Sequence, residues 1–227
     1  MKYIVIGLGF FGAKCASLLT SMGHEVLGVD NSEERLEELK DSFTSVMRMD
    51  TTNIKAVKTL PLYDVDAVIV AIGEDVGASI LTLSILKNLN VERIIGRAIT
   101  QVHRKILNQI GIEEVVMPLV DSAVNLTSIL QVKGVLGLNM INNEYATAEV
   151  KVPAGFIGHL PESIDLEERM KIKLIAIKRP PKEGVLNSIF RRDYQTDLFF
   201  DSTRQFTETD ILVIAGRVMD IKRFTGG

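Results

Sequence analysis

The 227-residue sequence predicts an α/β fold: a Rossmann-like doubly wound parallel sheet with a smaller C-terminal α+β domain. Three observations carry that expectation. Short apolar runs alternate with helical-period segments at least five times before residue 118. The first of these runs opens directly into Gly7-Leu8-Gly9-Phe10-Phe11-Gly12. After about residue 120 the alternation gives way to short β-like runs separated by irregular chain.

Residues 3–6 (Tyr-Ile-Val-Ile) read as a buried parallel strand, because a strand covered on both faces is continuously apolar. Residues 10–22 have apolar side chains at helical spacing, and Gly23 follows as the C-terminal stop. Residues 25–29 form the second strand. Asn31 is expected to begin the next helix, with Glu34 three residues on as in a capping box. Residues 44–49, 67–72 and 93–98 read as strands three to five. Residues 75–90 and 101–110 are helical, and residues 114–117 are β-like until Pro118. Residues 121–135 are expected to form a helix leading out of the first domain. Gly134, Gly137, Asn139, Asn142 and Asn143 then suggest a hinge. Strands are expected at 147–152, 173–178 and 211–215, with a helix at 165–170. The domains are placed at 1–133 and 134–227.

Composition narrows the function class. With 46% hydrophobic and 24% charged residues, the chain is that of an ordinary globular protein. A net charge of -3 gives no reason to expect nucleic acid as a partner, since such binders need a positive surface. Cys15 is the single cysteine, which fits a reducing compartment. The chain opens straight into a strand without the segments of a secretory signal, and no apolar run reaches the ~18 residues of a membrane span. A cytoplasmic location is expected.

The glycines define a candidate nucleotide site. Gly7 permits the tight turn out of the strand, Gly9 lets a pyrophosphate approach the backbone, and Gly12 lets the helix pack closely. The helix start at Phe10 and Phe11 offers free N–H groups to phosphate. Asp30, with Asn31 after it, ends the second strand roughly 20 residues on, where a carboxylate accepts from both ribose hydroxyls. Its charge repels a 2′-phosphate, favouring NAD(H), ADP, ATP or AMP over NADP. Asp50 and Thr51 end the third strand beside the expected adenine. The Ala71-Ile72-Gly73-Glu74 turn closes the fourth strand across the switch point of the sheet.

No catalytic constellation is visible. His24, His103 and His159 are scattered, and no metal-ligand spacing occurs. A dehydrogenase needs a proton donor or base beside the nicotinamide, and the small C-terminal portion offers no candidate. A small NAD-dependent oxidoreductase remains the alternative to a sensor.

The residues resemble the regulatory subunits of bacterial potassium-uptake systems, the TrkA/KtrA family, with an N-terminal RCK or TrkA-N module and a smaller TrkA-C module. The resemblance runs through residues 4–12, 23–30, 68–73 and 105–111, then 152–158, 174–179 and 209–216. It implies a non-enzymatic, nucleotide-sensing subunit, as homodimers building an octameric ring beneath a membrane potassium-translocating subunit. It implies cytoplasmic placement at the inner face of the cell membrane, adenine nucleotide in the N-terminal module, and in some relatives c-di-AMP between C-terminal modules. It maps Gly7, Gly9 and Gly12 to the phosphate loop, Asp30 to the ribose acid, and Arg97 to a basic position within reach of phosphate. Many ATP-gated relatives carry arginine where this chain has Phe10, and close relatives often carry glutamate at Leu119. Both departures weaken γ-phosphate sensing. The basic segment at residues 178–192 suggests an exposed loop, or contact with a pore subunit or anionic membrane.

Overall fold

The computed structural model describes residues 1–130, 132–180 and 194–226. Contacts divide the chain into two compact units, Met1–Val120 and Asp121–Gly227.

In the first unit, six strands lie in one parallel sheet. They are β1 (Lys2–Ile6), β2 (Glu25–Asp30), β3 (Ser45–Arg48), β4 (Ala67–Val70), β5 (Ile94–Arg97) and β6 (Glu114–Val116), in the order β3-β2-β1-β4-β5-β6. The strand order reverses between β1 and β4, the switch point where open α/β sheets hold ligands. The helices are α1 (Phe10–Ser21), α2 (Glu33–Leu39), α3 (Ile54–Val57), α4 (Val76–Asn88) and α5 (Gln101–Gln109).

Alternation along β1 divides the core. Val5 packs with Leu8, Ala16 of α1, Leu36 of α2 and Phe43 on one face. Ile4 and Ile6 pack with Val57 of α3, Leu83 and Leu86 of α4 and Leu107 of α5 on the other. An unbroken apolar strand therefore marks burial on both faces.

Local chemistry sets the helix ends. Asp75 accepts from the Ala78 N–H at 2.9 Å and starts α4; Thr100 accepts from the His103 N–H at 3.1 Å and starts α5. Ser32, not Asn31, caps α2, accepting from the Arg35 N–H at 3.4 Å. That moves the cap one residue past its expected place, because Asn31 is still held at the end of β2 by the Asp30–Ser32 turn. Gly23 adopts φ 83° just after α1, the left-handed stop expected of it.

Pro118 opens a helix as well as ending β6. The helix α6 (Pro118–Leu130) begins three residues before its expected start and ends before Val135. Proline suits a first helical turn, where its missing N–H has no partner to lose. The expected hinge is instead a strand, β7 (Val135–Met140), hairpinned onto β8 (Tyr145–Lys151). Asn142 makes that turn, its side-chain oxygen accepting from the Glu144 and Tyr145 N–H groups at 2.9 and 2.8 Å.

The second unit continues with α7 (Leu166–Met170), β9 (Ile172–Arg179), β10 (Gln195–Asp197), β11 (Ile211–Arg217) and α8 (Val218–Phe224). Its sheet is antiparallel in the order β10-β9-β11-β8-β7. Ala146, Ala148 and Val150 of β8 face a core shared with Leu212 and Ile214, Leu166 of α7, and Ile221 and Phe224 of α8. Phe156 stacks on Phe224 with ring centroids 5.4 Å apart. Of the basic segment at 178–192, Lys178 pairs with Glu149 and Arg179 with Asp197; residues 181–192 lie outside the described residues.

Candidate nucleotide site

Because the sheet is parallel, the C-terminal ends of β1 to β5 share one edge, and the sequence-predicted residues follow them in turn. Gly7 follows β1, Asp30 ends β2, Asp50 and Thr51 follow β3, residues 71–74 follow β4, and Arg97 ends β5.

The three glycines do different work. Gly7 takes φ 88°, and a Cβ there would lie 2.9 Å from the Ile72 backbone nitrogen. At Gly12 a Cβ would stand 1.9 Å from the Gly7 carbonyl oxygen, so α1 can sit on this turn only with glycine. Gly9 differs: its φ of -65° suits any residue, and a Cβ would meet nothing within 4 Å. Space in front of Gly9 is what a pyrophosphate needs. Among the described residues no side chain caps α1, so the N–H groups of its first turn keep their donor capacity for an anion.

Asp30 is buried and fixes the loop to β2. One carboxylate oxygen accepts from the Leu8 N–H at 2.6 Å, the other from the Ser32 N–H at 2.8 Å. A carboxylate has about four acceptor positions, so its outward lone pairs remain for ribose hydroxyls.

Arg97, at the end of β5, brings a guanidinium to the turn after β4. One guanidinium nitrogen donates to the Ala71 carbonyl at 3.2 Å, and its carbon lies 5.4 Å from the Phe11 ring centroid. The guanidinium also packs on Gly73, where a Cβ would come within 2.6 Å of it. Its Nε is buried without a hydrogen-bond partner among the described residues. An under-satisfied cation beside free helix N–H groups fits an anionic ligand.

The remaining candidates occupy distinct settings. Asp50 is exposed, and the Thr52 hydroxyl and N–H hold its carboxyl below the usual range. Thr51 is buried, with its hydroxyl 2.9 Å from that of Thr82 on α4, a link between β3 and α4. Phe10 is 95% exposed at the start of α1. Asn31 contributes its carbonyl to Arg48 at 3.3 Å. Glu74 is exposed and lies 3.5 Å from Arg35. Arg35 was not singled out from sequence. Its signal is a lone arginine in the first turn of an otherwise acidic helix, five residues after Asp30.

Residues 3–118 match the model of the TrkA-N domain. The chain belongs to the TrkA-N domain family. It is also 32% identical over 223 residues to Ktr system potassium uptake protein C of Bacillus subtilis, spanning 98% of this chain and 95% of that one. Among solved structures, the GsuK channel bound to NAD superposes with a TM-score of 0.66 at 16% identity, covering all of this chain and 39% of that one. The AMP-bound C-terminal domain of Shewanella denitrificans Kef superposes at 0.50 and 22% identity, covering 58% of this chain and 80% of that one. At these identities the structural likenesses establish the fold; the TrkA-N assignment rests on sequence.

Proposed function

We propose that this TrkA-N chain is a nucleotide-sensing regulatory subunit that gates a membrane potassium transporter or channel. The observation that carries the reading is near-full-length similarity to a Ktr potassium uptake protein in a chain whose crevice joins free helix N–H groups, Asp30 and Arg97. Its task is binding rather than bond-making. The ligand is an adenine nucleotide (NAD(H), ADP, ATP or AMP), with its phosphates before Gly9 and Arg97 and its ribose on Asp30. The fold neighbours solved with NAD and AMP support that ligand class. Phe10 places an uncharged ring where a longer cation would reach a third phosphate, which favours NAD(H), AMP or ADP. Residues 1–133 act as the nucleotide module and residues 134–227 as the TrkA-C module.

The subunit works as an assembly at the cytoplasmic face of the membrane. Supporting this, α6 has no fully buried residue among the described residues, yet Leu119, Leu126 and Leu130 stand on it at i, i+7 and i+11, all exposed. A second copy covers that stripe in a homodimer, the unit of a ring. Among the described residues, no helix is long and apolar enough to cross a membrane; in this reading a partner subunit supplies the pore.

Native mass spectrometry, followed by denaturation and identification of the released nucleotide, tests ligand and stoichiometry together. Asp30→Ala should weaken ribonucleotide binding at least tenfold, about 1.4 kcal/mol. The gating claim fails if nucleotides alter neither assembly nor potassium flux in liposomes that hold the chain with its co-purified pore subunit.

A further inference from the structure

Asp30 does more in this structure than hold the glycine loop. Its Oδ2, already accepting from the Leu8 N–H, lies 3.8 Å from one guanidinium nitrogen of Arg35. A second guanidinium nitrogen of Arg35 lies 3.5 Å from Glu74, on the turn after β4. The other basic group near the start of α2, Arg48, is already committed: it bonds Glu33 at 2.6 Å and the Asn31 carbonyl at 3.3 Å. Arg35 therefore spans from the buried ribose acid to the turn after β4, across the switch point of the sheet.

We infer that Arg35 is a self-occluding residue of the nucleotide site, an internal competitor that covers Asp30 and that ribose must displace. The inference rests on the nucleotide-site reading above. Asp30 spends two acceptor positions on the Leu8 and Ser32 N–H groups. A ribose diol brings two donors and needs the two that remain. Arg35 faces one of those positions, so ribose and guanidinium compete for the same oxygen. Glu74 is the anchor that keeps Arg35 over the crevice. Its side chain is 90% exposed and that of Arg35 42% exposed, so this outer pair is weak and readily screened.

Two consequences distinguish this role from ordinary ligand contact. A competitor lowers affinity, so its removal tightens binding; a contact residue raises affinity, so its removal weakens binding. A competitor held by charge is also loosened by salt, so an uncharged ligand should bind more tightly as salt rises. The affinity of the site is thereby linked to the ionic strength around it.

The experiment uses adenosine, which has the ribose diol and no phosphate charge, with ADP as the charged comparison. Affinities are measured by NMR titration of the full-length chain in 50 and 500 mM KCl, for wild type, Arg35→Gln and Asp30→Asn. The expected result is that Arg35→Gln binds adenosine about threefold more tightly than wild type at low salt. Wild-type affinity for adenosine should rise with KCl, and that dependence should vanish in Arg35→Gln. Unchanged or weaker adenosine binding by Arg35→Gln overturns the inference while leaving the site intact, provided Asp30→Asn still loses affinity. Equal ADP binding by wild type and Asp30→Asn overturns the site reading and the inference with it.

Discussion

Gly9 and Gly12 belong to one motif, yet the structure assigns them opposite liabilities. A methyl at Gly12 would lie 1.9 Å from the Gly7 carbonyl oxygen and 3.0 Å from the Ala71 Cβ. An ordinary carbon–oxygen contact is about 3.3 Å, so α1 would have to retreat by ~1.4 Å. A gap of ~1 Å already forfeits up to about half of each dispersion contact, and overpacking costs ~1–3 kcal/mol. Gly12→Ala should therefore lose about 3 kcal/mol of stability in the first unit. Gly9→Ala adds its methyl to open space at a φ of -65°. The small helix-cap penalty and the entropy removed from the unfolded chain offset each other, leaving a net change within about 0.5 kcal/mol. That methyl does occupy the approach of a pyrophosphate, so affinity for ADP and NAD should fall at least tenfold, about 1.4 kcal/mol. Urea unfolding followed by far-UV circular dichroism gives the first quantity, and calorimetric titration the second. The reasoning is refuted if Gly9→Ala is as unstable as Gly12→Ala, or if it binds nucleotide like wild type.

His103 and α6 give two further tests. His103 is buried with neither ring nitrogen hydrogen-bonded among the described residues, and burial lowers its pKa. The folded chain thus resists a proton that the unfolded chain accepts near pH 6.5. Its contribution to stability is full above that pH and falls as the pH drops below it, by at most about 1.4 kcal/mol per pH unit. Urea midpoints at pH 7.5, 6.5 and 5.5 should show a shallower decline for His103→Leu, and equal slopes in the two proteins would contradict the assignment. On α6, Leu126→Glu with Leu130→Glu should shift the assembly to a smaller species in light scattering while unfolding is unchanged; an unaltered mass would remove α6 from the interface.

The first unit was legible because its signals are local. Ile4-Val5-Ile6 is apolar at every position, and the glycines must follow at once if a helix is to pack on the strand. Asp75, placed at a helix start by sequence, does cap α4. The second unit was less legible. Glycines and asparagines between residues 134 and 143 suggested a hinge, whereas pairing with β8 makes residues 135–140 a strand. Strand propensity there is weak, and the partner strand overrides it. The short β10 pairs with the end of β9 through only three residues, too few for a periodic signal. Likewise, Pro118 signals a strand end in the sequence, yet it also opens α6, since proline suits both places.

Sequence alone determined the class of the fold and the place of the glycine loop between β1 and α1. Residue spacing encodes strand and helix periods directly, and three glycines at these intervals have few uses. It also placed Asp30 at the end of its strand. What tertiary structure decided was the division of labour among those residues. Gly12 is a packing requirement and Gly9 an opening, which depends on what lies opposite each Cα. Arg97 is held on Phe11 and Gly73, and Thr51 turns inward to Thr82. Arg35 meets Asp30 on one side and Glu74, 39 positions along the chain, on the other. Such a meeting is a property of the sheet order, which brings the ends of β2 and β4 to either side of β1, and no local pattern encodes it.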